Sequence, residues 1–265
     1  MRRVFASLSL IAAYSRANLR SAFEYRTSFA SEVLAMLVND CMWVVFWVGF
    51  YERYPAVRGW ERADVVTLWA VIATAFGIAT ALFGNLVRLA GIIARGELDF
   101  FLSLPRPVLL HTLIGRMSFS AYGDVVFGIA AYAWIVRPSA SDWLLFTALT
   151  LSNVGIFVGF GACMASWSFW LGSAEGIAQQ AMNILINFST YPNSIFRGAV
   201  QWALLSVIPA SFLGFIPVEI LREHHWHWLC GHIAVSTAFV SLGAFTFQRG
   251  LRRYESGNLV FVRIT

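Results

Sequence analysis

The sequence contains no lysine, so its net charge of +5 comes from arginine alone. Only 12% of the 265 residues are charged, about half the share with which a water-soluble domain of this length covers its surface. The missing lysine excludes the phosphate-binding loop of nucleotide hydrolases, in which a lysine side chain must reach the terminal phosphates. If ATP powers this protein, another chain therefore hydrolyses it.

Cysteine is also scarce. Cys41, Cys163 and Cys230 lie inside apolar runs, and an odd number of thiols in such places argues against a disulfide framework. Apolar residues, in contrast, make up 58% of the chain, which has eleven tryptophans and a mean hydropathy of +0.67. This composition predicts an all-α integral membrane protein with a single transmembrane domain over residues 1–265.

Six segments are predicted to cross the bilayer, because its hydrocarbon core of about 30 Å needs about 20 helical residues. The predicted spans are residues 27–50, 63–86, 108–136, 143–171, 176–191 and 227–248. Residues 1–26 carry apolar side chains at helical spacing among five arginines, which is typical of an interfacial helix on an anionic leaflet. No clean small-residue cleavage pattern follows the first apolar run, so we interpret this segment as retained.

Two prolines, Pro209 and Pro217, split the apolar region 195–221 into pieces too short to span. We expect a pair of external re-entrant helices, since non-helical backbone at that depth must lie against protein or water. The alternative, a kinked seventh span, would move the basic C-terminus outside. With six spans and both termini cytoplasmic, thirteen of the nineteen arginines lie inside, as the positive-inside rule predicts for a bacterial inner membrane.

Residues 94–104, between the second and third spans, are predicted to form a short cytoplasmic helix that opens after Gly96 and closes before Pro105. Its apolar residues share one face and its acidic residues lie elsewhere, a pattern typical of a helix that docks in a groove of a partner protein. The predicted docking residues are Glu97, Leu98, Asp99, Phe101 and Leu102. The alternative is an interfacial helix without a partner.

Polar residues within the predicted spans are candidates for a substrate path, since a charge near the bilayer centre costs about 2.5 to 3.5 kcal/mol on insertion scales. Asp40 and Asp124 lie in the middle of the first and third spans, and Asn183 and Asn187 lie close to one face of the fifth. Two acids that face a central cavity would favour a cationic, amphipathic substrate. Alternatively, each acid pairs with a polar group on a neighbouring helix or subunit, and the amides bridge helices.

Three strings along the chain resemble a known family. They are Gly96-Glu97-Leu98-Asp99 followed by Leu102 and Pro105, Phe188-Ser189 followed by Tyr191-Pro192, and Gly250-Leu251-Arg252-Arg253-Tyr254-Glu255-Ser256-Gly257-Asn258. These strings resemble the permeases of type-2 ABC exporters, in the branch found with a sister permease and a separate ATPase. The resemblance implies that segment 94–104 is a coupling helix that docks on a cytosolic ABC ATPase dimer.

The same resemblance implies that a second permease, identical or sister, completes the translocation path within membrane lipid. ATP and Mg²⁺ would be bound by the ATPase, so no cofactor and no nucleic acid are expected on this chain. The segment 223–227 combines histidines with an acid but lacks the ligand spacing of zinc hydrolases, and we interpret it as the polar boundary of the last span. Neither catalytic nor metal-binding residues are predicted.

Two other function classes remain open. An intramembrane enzyme would need a nucleophile and a base at lipid depth, but no histidine is evidently placed opposite Ser118 or Ser120. For His111 and His232, the sequence itself indicates no partner for nucleophilic or acid–base chemistry. A stand-alone ion-coupled carrier usually has two similar halves with matching broken helices, whereas the proline-broken region of this chain occurs once. A neighbouring ATPase gene would favour the exporter over the carrier.

Overall fold

The computed structural model describes residues 2–105, 107–191, 198, 202–204 and 207–254. Three features of the sequence interpretation therefore lie outside the described residues. They are the Pro192-Asn193 turn, most of 195–206 within the predicted re-entrant region 195–221, and the last part of the C-terminal string, 255–258.

The described chain is almost entirely helical. Its α-helices are α1 (Arg2–Glu24), α2 (Arg26–Arg53), α3 (Arg62–Leu82), α4 (Leu89–Ala94), α5 (Leu98–Leu102), α6 (Val108–Ile114), α7 (Ala121–Ala131), α8 (Ala140–Ser166), α9 (Ser168–Leu171), α10 (Glu175–Ser189), α11 (Ala210–Leu213), α12 (Phe215–Glu223) and α13 (Trp226–Leu251). A 3-10 turn (Leu86–Arg88) precedes α4 and a π-helical turn (Tyr132–Val136) extends α7. Among the described residues, the only sheet is a hairpin of β1 (Ala56–Val57) and β2 (Trp60–Glu61), which confirms the all-α prediction.

Helix α3 lies at the centre of the bundle. It packs between α7 and α8, and 72% of its most apolar stretch is buried. The hairpin before it turns through Arg58 and Gly59, whose positive φ angles of 52° and 82° are those of a two-residue hairpin turn. Glu61 and Asp64 then cap the first turn of α3 reciprocally, which fixes where the helix starts.

Among the described residues, four helices are long and apolar enough to cross a membrane: α2, α3, α13 and the nearly continuous pair α8–α9 (Ala140–Leu171). They correspond to the predicted spans 27–50, 63–86, 227–248 and 143–171, although α3 ends at Leu82, four residues before the predicted end. The stretch Ala121–Val136 is apolar but shorter. Helix α10, in the predicted fifth span 176–191, has 15 residues and extends about 22 Å, so the number of six crossings stays a prediction.

The predicted third span, 108–136, is not one continuous helix, which corrects the sequence interpretation. Six non-helical residues separate α6 from α7, and they pack against the end of α3. The Ser118 amide donates to the Thr80 carbonyl at 3.2 Å, and the Asn85 side chain donates to the Thr112 carbonyl at 2.8 Å. These bonds replace helical ones, so the break is tolerated in the apolar interior.

The described part of the predicted re-entrant region forms the short helices α11 and α12. The expected break at Pro217 is wrong, because this proline lies in the first turn of α12, where its missing N–H costs no hydrogen bond. The chain breaks instead at Gly214, where a Cβ atom would collide with the Ser189 carbonyl oxygen. Close approach to the end of α10 therefore sets this boundary.

Helices α8 and α13 form the most extensive helix pair of the fold. A Cβ atom on Gly159 would collide with the backbone of Phe239, and one on Gly243 would collide with the Gly159 carbonyl. A Cβ atom on Gly155 would likewise collide with the Ser236 hydroxyl. Gly155 and Gly159 lie four residues apart on α8 and let the two helices approach closely, as small residues do at helix crossings in membranes.

Candidate functional site

A cavity of about 220 Å³ lies where α2, α3, α7 and the end of α10 meet. Its polar and aromatic lining includes Asn39, Asp40 and Trp43 from α2, Trp69 and Phe76 from α3, Asp124 from α7, and Asn187, Thr190 and Tyr191 at the end of α10. The structure thus brings together Asp40, Asp124 and Asn187, three of the four candidate path residues. Asn183 is exposed one turn earlier on α10 and is not among the lining residues.

The two acids meet because glycines allow α7 to approach its neighbours. A Cβ atom on Gly123 would lie 2.7 Å from the Val33 carbonyl on α2, and one on Gly77 of α3 would lie 2.8 Å from the Ala121 carbonyl on α7. Both separations are shorter than a real side chain permits. At these glycines the backbone of α7 therefore approaches α2 on one side and α3 on the other. This close approach places Asp124, the residue after Gly123, beside α2.

Asp40 and Asp124 are almost fully buried, with 5% and 4% of their surface exposed. Their carboxyl groups are close enough to interact with each other. The Asn39 side chain donates to Oδ1 of Asp40 at 3.3 Å, whereas no described residue forms a hydrogen bond to the buried Oδ2. Because Asp40 and Asp124 lie on neighbouring helices, each acid has the other as its polar neighbour, as the alternative from sequence expected. Among the described residues, no basic side chain lines the cavity.

Two tryptophans form an aromatic wall of this cavity. The rings of Trp43 and Trp69 stack with centroids 5.5 Å apart and planes inclined by 20°. Sequence reasoning missed both residues, because each tryptophan in an apolar run contributes to hydropathy alone. The sequence does contain one signal for Trp43, which lies three residues after Asp40 and therefore on the same face of the helix.

A second, larger cavity of about 820 Å³ separates α2 from the π-helical turn and carries Glu52, Arg62 and Arg137 among its lining residues. Its apolar lining includes Val45 and Trp134, which are 70% and 79% exposed. This space is therefore a groove on the outside of the bundle rather than an enclosed site.

The predicted coupling segment 94–104 contains α5, and Gly96 lies two residues before this helix begins. Gly96 has a φ of 74°, a left-handed conformation that ends α4 and turns the chain into α5. Helix α5 has five residues. It therefore depends on tertiary contacts rather than on its own helical hydrogen bonds.

The structure corrects the predicted docking surface at one position. Leu98 is fully buried in the main hydrophobic core, so it cannot contact a partner. Phe100, which the sequence interpretation omitted, is 67% exposed, and Leu102 is 43% exposed. Glu97 and Asp99 are also exposed, and Phe101 is partly buried. The free surface of α5 is therefore acidic and apolar, and Phe100 rather than Leu98 is an exposed apolar residue of this helix.

Contacts from distant parts of the chain hold this segment. The Tyr254 hydroxyl, three residues after α13, donates to the Gly96 carbonyl at 2.7 Å. Burial and the nearby Asp99 carboxylate raise the pKa of Tyr254 to about 12, so the hydroxyl keeps its proton. Arg95 forms ion pairs with Glu97 at 2.7 Å and with Glu175, the first residue of α10, at 3.6 Å.

A serine and a histidine that are relevant to the enzyme alternative also meet. Nδ1 of His232 lies 2.8 Å from the Ser152 hydroxyl, and Nε2 lies 2.8 Å from the Phe212 carbonyl. Because Nε2 must donate to that carbonyl, Nδ1 accepts from Ser152. His232 thus has the partner that the sequence did not reveal, but the two residues are 1% and 7% exposed. They tie α8, α11 and α13 together.

Comparison with protein families finds one match, to a family model described as ABC-2 family transporter protein, over residues 37–257. No curated protein and no solved structure matches the chain. The matched region contains both acids of the cavity, the whole coupling segment and Tyr254. It extends over well more than half of the sequence, and it includes α2 from residue 37 onwards and the whole of α3, α8–α9 and α13. The chain therefore belongs to the ABC-2 family of transporter proteins and is a multi-pass membrane permease.

Proposed function

We propose that this permease is a subunit of an ATP-driven exporter, in which a separate cytosolic ABC ATPase dimer binds ATP and Mg²⁺ and hydrolyses the nucleotide. The observation that carries the proposal is α5, which exposes Phe100 and Leu102 while Leu98 anchors it in the core. A short helix that is fixed on one side and apolar on its free side suits a groove on a partner. The absence of lysine assigns nucleotide hydrolysis to that partner.

Helix α10 supports a path for the coupling. Near its start, Glu175 pairs with Arg95, and Ala178 and Met182 lie in the same core cluster as Ile93 of α4. Towards its other end, about 18 Å along the helix, Asn187 lines the cavity with the two acids. A displacement of the coupling segment by the ATPase would therefore reach the cavity through one rigid helix, as in rigid-body switching of packed elements.

The topology that fits this proposal has six crossings, both termini in the cytoplasm and a bacterial inner membrane as location. It places the coupling segment on the ATPase side and the β1–β2 hairpin outside. The arginine distribution supports this orientation. The fifth crossing would be residues 176–191, most of which lie in α10.

A second permease, either another copy or a sister chain, would supply the other half of the path. Only 11% of the most apolar stretch of α2 and 17% of that of α13 are buried within the chain. Exposed side chains such as Val45 and Phe46 on α2 and Phe245 on α13 then face lipid or the second permease.

The proposal is tested by purifying the chain with its native partners, identifying them by mass spectrometry and measuring ATP hydrolysis. The double substitution Phe100→Asp and Leu102→Asp should lower both ATPase recovery and permease-stimulated hydrolysis about tenfold or more, since an interface hot spot contributes about 2 kcal/mol or more. Tyr54→Asp is the matched control. Tyr54 is also an exposed aromatic residue (55%), but it directly follows the last residue of α2 and lies outside the coupling segment. Unchanged hydrolysis in the double variant would remove α5 from the coupling path.

The buried acid pair favours one other candidate, a stand-alone carrier driven by an ion gradient. This candidate predicts transport in vesicles that contain the chain and no ATPase. The exporter predicts none in such vesicles and transport once the ATPase and ATP are present.

A further inference from the structure

The cavity between α2, α3 and α7 combines two carboxyl groups with two stacked indoles. Asp40 and Asp124 are both more than nine-tenths buried, and the Oδ2 atom of Asp40 has no hydrogen-bond partner among the described residues. Two neighbouring carboxylates in an apolar environment repel each other. A group that carries positive charge between them would relieve this repulsion and satisfy the vacant oxygen.

The walls distinguish an organic cation from a metal ion. Hard metal ions such as Mg²⁺ and Ca²⁺ are bound chiefly by carboxylate and other oxygen ligands, and the described residues contain no group of three or more His, Cys, Asp or Glu side chains that could hold a metal ion. The two acids of this cavity lie beside apolar walls that include Ile72, Ala73 and Phe76. The faces of Trp43 and Trp69 attract an ammonium group through their π electrons. The volume of about 220 Å³ is sufficient for a trimethylammonium group and part of its substituent.

The cavity also reaches the surface of the chain. Trp43 and Tyr191, which both line the cavity, are 43% and 42% exposed. A bound molecule can therefore place its charged group beside the acids and extend an apolar part along the exposed face of α2. This arrangement fits an amphipathic molecule better than a compact ion.

We propose that Asp40, Asp124, Trp43 and Trp69 bind the ammonium group of an amphipathic organic cation, and that such cations are the substrate class of the permease. The assignment of the cation as substrate rests on the proposed function. Binding itself does not, because every residue that forms the site belongs to this chain.

The test uses the purified full-length chain in nanodiscs of phosphatidylglycerol, a lipid without an ammonium group that would compete. Choline and its neutral isostere 3,3-dimethylbutan-1-ol differ only in having nitrogen or carbon at the centre, and saturation-transfer NMR detects weak binding of either. Choline should bind at least about tenfold more tightly than the neutral alcohol, because charge recognition distinguishes the two. Adding phosphatidylcholine should reduce the choline signal if the headgroup of a lipid enters the same site.

The substitutions Asp40→Asn and Asp124→Asn should each weaken choline binding about tenfold. Glu52→Gln is the matched control, since Glu52 is an exposed acid on α2 outside this cavity, and it should leave binding unchanged. Trp43→Leu retains apolar volume without the indole face and should weaken binding severalfold. If the Asn variants fail to fold, two measurements still test the site. They are the comparison of choline with its isostere on the native chain and the choline binding of Trp43→Leu.

Equal binding of choline and the neutral alcohol, or binding of neither, would overturn the inference. Because no ATPase is present in this experiment, its result is independent of the coupling test with Phe100 and Leu102. Loss of coupled hydrolysis together with absent choline binding would leave the exporter standing and eliminate the organic cation. Choline binding with unaltered hydrolysis in the α5 variant would leave the cation site standing and eliminate the docking helix.

Discussion

The Tyr254 hydroxyl donates to the Gly96 carbonyl at 2.7 Å and so joins the end of the last helix to a loop 158 positions earlier in the chain. The Tyr254 ring also packs edge-on against Phe169, with centroids 6.2 Å apart. A single residue thus connects α13, α9 and the coupling segment. This contact fixes where α5 lies relative to the two helices that form the most extensive pair of the bundle.

Tyr254→Phe should weaken this connection without disturbing the packing of the ring. The variant loses one hydrogen bond, worth about 1 kcal/mol net, and we expect coupled ATP hydrolysis to fall about two- to fivefold. Tyr25→Phe is the control, because Tyr25 is 71% exposed at the junction of α1 and α2. Full coupling in Tyr254→Phe would show that Leu98 and the ion pairs alone position α5.

The raised pKa of Tyr254 gives the pH dependence of the same contact. Its pKa is about 12 in the folded protein and 10.0 in the absence of these interactions. A folded-state pKa above the unfolded value means that the stabilising contribution is fully present below pH 10 and is lost as pH rises towards 12. The difference in thermal stability between native chain and Tyr254→Phe should therefore be constant from pH 6 to 9, and a difference that varies within this range would contradict the assignment.

Leu98 and Phe100 should give opposite phenotypes although they are two residues apart. Leu98→Ala removes a fully buried side chain and should lower the free energy of unfolding by about 2 to 5 kcal/mol. Phe100→Ala removes an exposed one, so the thermal unfolding midpoint should hardly change while coupled hydrolysis falls. Measuring both quantities in both variants separates anchoring from docking. Equal loss of stability in the two variants would show that Phe100 is buried in the membrane-embedded protein.

The crossing of α8 and α13 should tolerate no side chain at Gly159. Gly159→Ala places a methyl group against the Phe239 backbone, and overpacking of this kind costs about 1 to 3 kcal/mol. Gly231→Ala is the matched control on α13, because a Cβ atom there meets nothing within 4 Å. Thermal unfolding in detergent should show a lower midpoint for Gly159→Ala only. The control should be unchanged or slightly stabilised, since alanine favours helix by about 1 kcal/mol over glycine.

Features that depend on local composition could be predicted from the sequence. The apolar runs of α2, α3, α8 and α13 identify these helices because each must bury or shield about 20 residues in hydrocarbon. Gly96 indicated the break before α5 because its conformation is local. The assignment of Leu98 to the free surface failed for a related reason, since helical periodicity groups residues by face but does not state which face meets the rest of the protein.

Features that depend on distant parts of the chain could not be predicted. The break between α6 and α7 depends on the hydrogen bond that the Thr80 carbonyl accepts from Ser118 and the one that Asn85 donates to Thr112. No pattern within 108–136 encodes these bonds. The approach of Asp40 to Asp124 depends on glycine contacts of α7 with α2 and α3. The sequence identified both acids as candidates for a functional role, because a charged side chain within the bilayer costs free energy. Only the packing of three helices showed that they share one cavity.

The pair of Ser152 and His232 gives the prediction that separates a structural role from catalysis. A catalytic serine must meet its substrate, whereas Ser152 is 7% exposed, donates to His232 and accepts from Ser236 through its carbonyl at 2.6 Å. Ser152→Ala leaves Nδ1 of His232 buried without its donor, which should cost about 1 to 3 kcal/mol. We expect a lower thermal unfolding midpoint and unaltered ATP-coupled transport per folded molecule.

Thr147→Ala is the matched control for this variant, because Thr147 is an exposed residue of α8 whose hydroxyl donates at 2.8 Å to the carbonyl of Trp143, one turn earlier. Its unfolding midpoint should change little, since water replaces that bond. A serine-reactive fluorophosphonate should label neither the native chain nor Ser152→Ala. Labelling of the native chain that disappears in Ser152→Ala would show an accessible nucleophile, and the interpretation of this pair as a tie between α8, α11 and α13 would then be wrong.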